Sequence, residues 1–204
     1  MKFTFPGHVL LCLVLLTAGA GAASFDVSQP SYATDNAAFD RNPSVMYDGS
    51  AYWLFYVRGD DVSTGGIRNG SYNPDADSYT IYYKTATNIE DVASAGETKL
   101  TLSETGRPAD FSQRVVSAVA FGGDVYCFTS SGQDGANRGL YYYKYDGSTW
   151  SGPVELINSG TAAGGHVNAT TDGTRIYIVW ESSDGSSDCY TWDGTTLSSK
   201  IDIS

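Results

Sequence analysis

The chain has 204 residues, with 23 acidic against 12 basic side chains, a formal net charge of −11, and 13% aromatic residues. Such acidity argues against nucleic acid as a partner, because phosphates would be repelled rather than neutralised. The periodic segments are rich in Tyr, Trp, Val, Ile and Thr, and Asp-Gly, Gly-Gly and Asn-Gly pairs punctuate them. Helical spacing is nearly absent, so the composition predicts an all-β chain of many short strands joined by turns.

Residues 1–23 combine one basic residue, Lys2, with the apolar run Val9 to Leu16 and the small triplet Ala20-Gly21-Ala22. This is the pattern of a secretory signal peptide and predicts a secreted, extracellular protein. The apolar run is far shorter than the ~20 residues of a bilayer span, and nothing later is apolar enough to cross a membrane. Cys12 lies inside the run, away from the cleavage region, which argues against a lipid anchor there. Residues 24–204 are then one repeat domain, long enough to build a core.

The first unit, 40–104, is predicted to hold strands at 43–47, 51–58, 79–85 and 98–102, with 87–95 either a helical turn or a loop. The second, 111–158, has strands at 114–121, 124–130, 139–145 and 153–157. The third, 163–204, has them at 165–170, 175–181, 187–192 and 197–203. The units share a register: with Gly49, Gly122 and Gly173 aligned, Tyr52, Val125 and Ile176 coincide, as do Trp53, Tyr126 and Tyr177, then Phe55, Phe128 and Val179. Downstream, Tyr145-Asp146-Gly147-Ser148-Thr149-Trp150 matches Trp192-Asp193-Gly194-Thr195-Thr196-Leu197.

Repeated four-stranded antiparallel units predict β-propeller blades. Stacking would bury both faces of each blade and explains second strands that are continuously apolar, such as Tyr52 to Tyr56 and Ile176 to Trp180. Closed propellers use ~4–8 blades. Three therefore imply an incomplete or open propeller, a fragment, or self-association to complete a ring; a β-sandwich is the competing fold.

In a propeller the first strand of each blade lines the central axis. The shared register puts Asn42, Val115 and His166 at one level, and Arg41, Arg114 and Gly165 one residue earlier. Two guanidinium groups from adjacent blades suit a carboxylate, although nearby acids such as Asp40 offer each arginine an ordinary ion pair. Arg41, Asn42, Arg114 and His166 are the predicted ligand-binding residues. His166 is the only histidine after the leader, so neither zinc nor a Ser-His-Asp triad is supported, and no cofactor is expected. Asn73, Asp75 and Asp77 alternate as calcium ligands would, yet they lack the turn glycine and distal glutamate of an EF-hand. They read as a solvated acidic turn, with calcium the alternative.

Cys127 and Cys189 fall in different units, as a disulfide or as separate thiols. Two sequons, Asn69-Gly70-Ser71 and Asn168-Ala169-Thr170, would accept N-glycans in a host with the machinery, and the first, in a Gly/Asn-rich loop, is the preferred one.

The run from Asp40-Arg41-Asn42-Pro43 through Asp48-Gly49 to Val57-Arg58 resembles the first blade of sialidase-like propellers, which open with Arg-x-Pro. The segment 145–150 is similar to the sialidase Asp-box turn without its initial Ser or Thr. That resemblance implies that Arg41 holds a substrate carboxylate and that an acid/base aspartate lies among Asp60, Asp61, Asp75 and Asp77. The tyrosine–glutamate nucleophile of that family belongs to later blades. The same run resembles the Asp-Pro opening of five-bladed glycoside hydrolases acting on arabinans and xylans, where the aspartate is the general base. Here Asn42 stands in its place, and an amide cannot accept the proton. The leading reading is a secreted sialidase-like propeller that binds glycans or a surface partner, with catalytic residues unassigned. The alternatives are an exo-glycosidase represented by a partial propeller and a structural cell-envelope module.

Overall fold

The computed structural model describes residues 40–59, 79–100, 115–131, 139–158, 165–181 and 187–202. Three four-stranded antiparallel sheets follow one another along the chain, each with its strands in sequence order. Blade 1 contains β1 (Asp40–Tyr47), β2 (Tyr52–Gly59), β3 (Tyr79–Ala86) and β4 (Glu97–Lys99). Blade 2 contains β5 (Ser117–Phe121), β6 (Asp124–Ser131), β7 (Gly139–Tyr145) and β8 (Trp150–Asn158), and blade 3 contains β9 (Val167–Thr171), β10 (Ile176–Glu181), β11 (Ser187–Trp192) and β12 (Ile201–Asp202).

The turns follow from the aspartate-glycine pairs. Asp48 Oδ1 accepts the backbone N–H groups of Ser50 and Ala51 at 2.7 and 2.8 Å and the Ser50 hydroxyl at 2.8 Å, while Gly49 takes the positive φ of 102° that the turn demands. Asp146, Asp172 and Asp193 build the same cage with Ser148, Thr174 and Thr195. These bonds favour the ionised carboxylate. Asp146 is held well below the usual aspartate range, first by the Thr149 N–H and then by Ser148, and Asp172 likewise, first by the Thr174 hydroxyl. The β5–β6 hairpin has Gly122-Gly123 instead, with φ of 64° and 88°, the requirement of a two-residue hairpin loop with positive φ at both positions.

The blades stack through one repeated contact. Ser44 Oγ accepts the N–H of Ala118 at 3.0 Å, and Ser117 Oγ accepts that of Ala169 at 2.9 Å. Ser44 and Ser117 occupy equivalent positions on β1 and β5, so the same step carries blade 1 to blade 2 and blade 2 to blade 3. The innermost strands β1, β5 and β9 therefore run side by side in the same direction. Around that axis, the blade 1–2 core joins Trp53, Phe55, Val57 and Ile81 to Val116, Ala118, Val125, Cys127 and Tyr143. The blade 2–3 core joins Val119, Tyr126, Phe128 and Leu140 to Val167, Ile176, Ile178, Trp180, Tyr190 and Trp192. Each interface has an aromatic nest: Tyr145 leans on Trp53 at 5.3 Å between centroids, and Trp192, its equivalent, meets Tyr126 edge-on at 4.9 Å.

The face of blade 1 turned away from blade 2 is covered from within. Within 87–95, where the sequence predicts either a helical turn or a loop, a single 3-10 turn forms at Ile89–Asp91. Ile89 and Val92 pack there on Leu54, Tyr56 and Tyr82. Blade 3 has no such cover among the described residues, and β10 alternates buried and half-buried. The expectation that Ile176 to Trp180 is buried on both faces is thus corrected: Tyr177 and Val179 lie on the open side. The outer strands also differ from prediction. β8 starts three residues early, at Trp150, and β12 shrinks to Ile201–Asp202, with Leu197 making only an isolated bridge to Trp192. Both cysteines are free, because Cys127 faces the blade 1–2 core whereas Cys189 lies on the open side of blade 3; burial pushes the Cys127 thiol up.

Candidate functional site at the inner-strand rim

Since β1, β5 and β9 are parallel neighbours, their first residues share one end of the arc with the last residues of β2, β6 and β10. At that rim β1 is bulged. Its pairing passes from Arg41↔Val57 to Ser44↔Phe55, so that Asn42 and Pro43 together oppose one residue, Tyr56. Asn42 takes a φ of 51°, the sole non-glycine among the described residues with positive φ. Asparagine tolerates this conformation better than most residues, and a bulge of this kind re-aims a side chain at a strand end. The half-buried Asn42 is itself hydrogen-bonded or otherwise engaged.

The start of β9 is clamped from two sides. Gly165 donates its N–H to the Glu181 carbonyl at 2.8 Å, and Glu181 returns its own N–H to the His166 carbonyl at 2.9 Å. The Glu181 carboxylate folds back to accept the His166 N–H at 3.3 Å. It lies so close over Gly165 that a Cβ there would stand 2.5 Å from Oε2, so a larger residue would have to push this flexible carboxylate aside. From blade 2, the Ser130 hydroxyl donates to the Gly165 carbonyl at 2.7 Å. His166 is exposed on this fixed mount.

The predicted site residues fare unequally. Asn42 and His166 both sit at the rim, with buried Val115 at the equivalent place in blade 2. The Arg41 backbone lies in β1, but its side chain and all of Arg114 fall outside the described residues, as do Asn73, Asp75, Asp77, Asp60 and Asp61. Among the described residues, no group of three or more His, Cys, Asp or Glu side chains is placed to hold a metal ion.

Glu181 and Ser130 were missed, although the same alignment finds them: Val57, Ser130 and Glu181 coincide, two polar residues ending otherwise apolar strands. Arg58, which the sialidase resemblance brought forward, is occupied elsewhere. Its guanidinium forks onto Glu97 at 2.5 and 2.7 Å and lies 4.4 Å over the Tyr82 ring, while the Tyr56 hydroxyl also donates to Glu97. Burial raises the Glu97 carboxyl, but the bonds from Arg58 and Tyr56 outweigh it and leave it below the usual range.

The sequence matches no protein-family profile and no curated protein. Solved structures do resemble it. An α-L-arabinofuranosidase from Podospora anserina, in complex with cellotriose, superposes with a TM-score of 0.54 at 11% identity over 80% of this chain and 50% of that one. A GH62 hydrolase in complex with xylotriose gives 0.52, with 11% identity over 80% and 51%. A family 117 glycoside hydrolase from the marine bacterium Zobellia galactanivorans gives 0.50, with 12% identity over 76% and 53%. The fold is that of a β-propeller. The chain spans about half the length of the structures it matches.

Proposed function

We propose that the chain is an exported, carbohydrate-binding β-propeller module whose sugar site lies at the rim where β1, β5 and β9 begin. The observation that carries this reading is the likeness of the fold to glycoside hydrolases, two of them solved with an oligosaccharide. Chemistry at the rim agrees with it. The Asn42 amide both donates and accepts hydrogen bonds, as does the neutral His166 ring, and sugar hydroxyls need both. Arg41 and Arg114 would add recognition of a carboxylate, so a sialylated or other acidic glycan is the sialidase-like form of the same proposal.

A second reading, exo-glycosidase, is favoured because every neighbour described above is a glycoside hydrolase. It requires two carboxyl groups about the scissile bond. Glu181 would be one, and the other would come from outside the described residues.

Calorimetric titration with xylotriose, cellotriose, an arabino-oligosaccharide and a sialylated trisaccharide tests the proposal. Binding of at least one of them is expected, weakened about tenfold or more, or ~1.4 kcal/mol, by Asn42→Ala and by His166→Ala. Absence of binding, or binding indifferent to both variants, overturns it. Turnover of an aryl arabinofuranoside that Glu181→Gln abolishes decides for the enzyme.

A further inference from the structure

The arc repeats one contact and then changes the residue that makes it. Ser44, Ser117 and Asn168 are equivalent in the shared register. The two serines each receive the N–H of an alanine on the next blade, and Ser117 is 7% exposed. Asn168 lies at the same place on the open side of blade 3. Its side chain is exposed and makes no bond to another described residue, and Thr170, two residues on, is exposed on the same face of β9. Between them Ala169 points the other way, its N–H fixed to Ser117. The only described sequon, Asn168-Ala169-Thr170, thus falls where this repeated position is open to solvent, and not at Ser44 or Ser117, where a glycan would split a blade interface.

We propose that Asn168 is an N-glycosylation site, with Thr170 as the hydroxyl residue of its acceptor motif. The donor is a lipid-linked pyrophosphate oligosaccharide. A bond forms between Asn168 Nδ2 and the first sugar carbon as that carbon's bond to the pyrophosphate oxygen breaks. The lipid pyrophosphate leaves, and the amide loses one proton. Attachment during export is compatible with folding because β9 pairs with β10 through its backbone and buries only its other face. The glycan would occupy the side from which a further blade's inner strand would approach Asn168. The assignment rests on the export reading of residues 1–23.

The test is the full chain with its own leader, expressed in a eukaryotic secretory host and carrying Asn69→Gln, so that Asn168 is the one remaining sequon. Intact mass is measured before and after peptide N-glycosidase treatment in ¹⁸O water. The expected result is secreted protein that loses a glycan-sized mass and gains ¹⁸O-labelled aspartate at 168, with Thr170→Ala abolishing both and preserving the thermal transition. Secreted, folded protein whose residue 168 is unmodified overturns the assignment. Retention in the cells with an uncleaved leader overturns the export reading instead, and the assignment with it.

Discussion

Blades 2 and 3 carry the same strand pattern, yet they live in different surroundings. In blade 2 every residue of the second strand from Val125 to Ser130 is buried, since blade 1 covers one face and blade 3 the other. In blade 3 only alternate residues are. The positions that face forward change accordingly: Phe128 becomes Val179, Val119 becomes Thr170, Ser117 becomes Asn168 and Ser130 becomes Glu181. Apolar area is larger where a neighbour removes it from water: the buried ring of Phe128 gives way to the smaller, half-buried Val179, and buried Val119 to the exposed hydroxyl of Thr170.

The largest effect should separate Phe128 from Val179. Truncating Phe128 to Ala removes a fully buried ring from the blade 2–3 core and should cost about 3–5 kcal/mol, whereas Val179→Ala should cost less than ~1.5 kcal/mol. Urea denaturation at a common slope measures both; equal losses would abolish the distinction between the blades. Next, Ser117→Ala strips the Ala169 N–H of its acceptor and should cost about 1–3 kcal/mol. Asn168→Ala should stay within ~0.5 kcal/mol of the parent.

Gly165→Ala comes third. Its Cβ would displace the Glu181 carboxylate, a flexible side chain that can swing aside, so the expected cost is near 1 kcal/mol by thermal melting, with loss of the His166 mount. The smallest effect lies in the turns. Asp172 is ionised to lower pH in the folded chain than the 3.8 of a free aspartate. Its contribution is complete above that value and fades as the pH falls below it. Asp172→Asn should therefore remove that contribution at neutral pH, a small loss on this exposed turn, and converge with the parent as the pH falls below 3.8, flattening the acid limb of the stability curve; an unaltered acid limb would argue against the cage.

Much of this architecture was legible in the residues because turns and strand periods are local. Gly49, Gly122 and Gly173 set the register, and all three take positive φ. The strands at 139–145 and 187–192 fall where the aromatic runs put them. Outer strands were less legible, because β4 and β12 have one neighbour each and are short. The buried-on-both-faces reading of β10 failed for a tertiary reason: Tyr177 and Val179 read as core in one dimension, and only the arrangement of blades shows that nothing described covers them. At the rim, Asn42 and His166 could be found by register. The Glu181 carboxylate could not be assigned to Gly165 without knowing that β10 ends against the start of β9.

One repeated contact, a serine hydroxyl oxygen accepting an amide N–H of the next blade, sets the blades side by side and so gathers the starts of the inner strands at a common rim. Residue-resolved hydrogen exchange of Ala169 tests it most directly, since that amide points away from β10 and toward Ser117. Slow exchange is expected in the parent chain and fast exchange in Ser117→Ala, with the β9–β10 ladder amides still protected. Fast exchange in the parent, or slow exchange that survives the substitution, would contradict it.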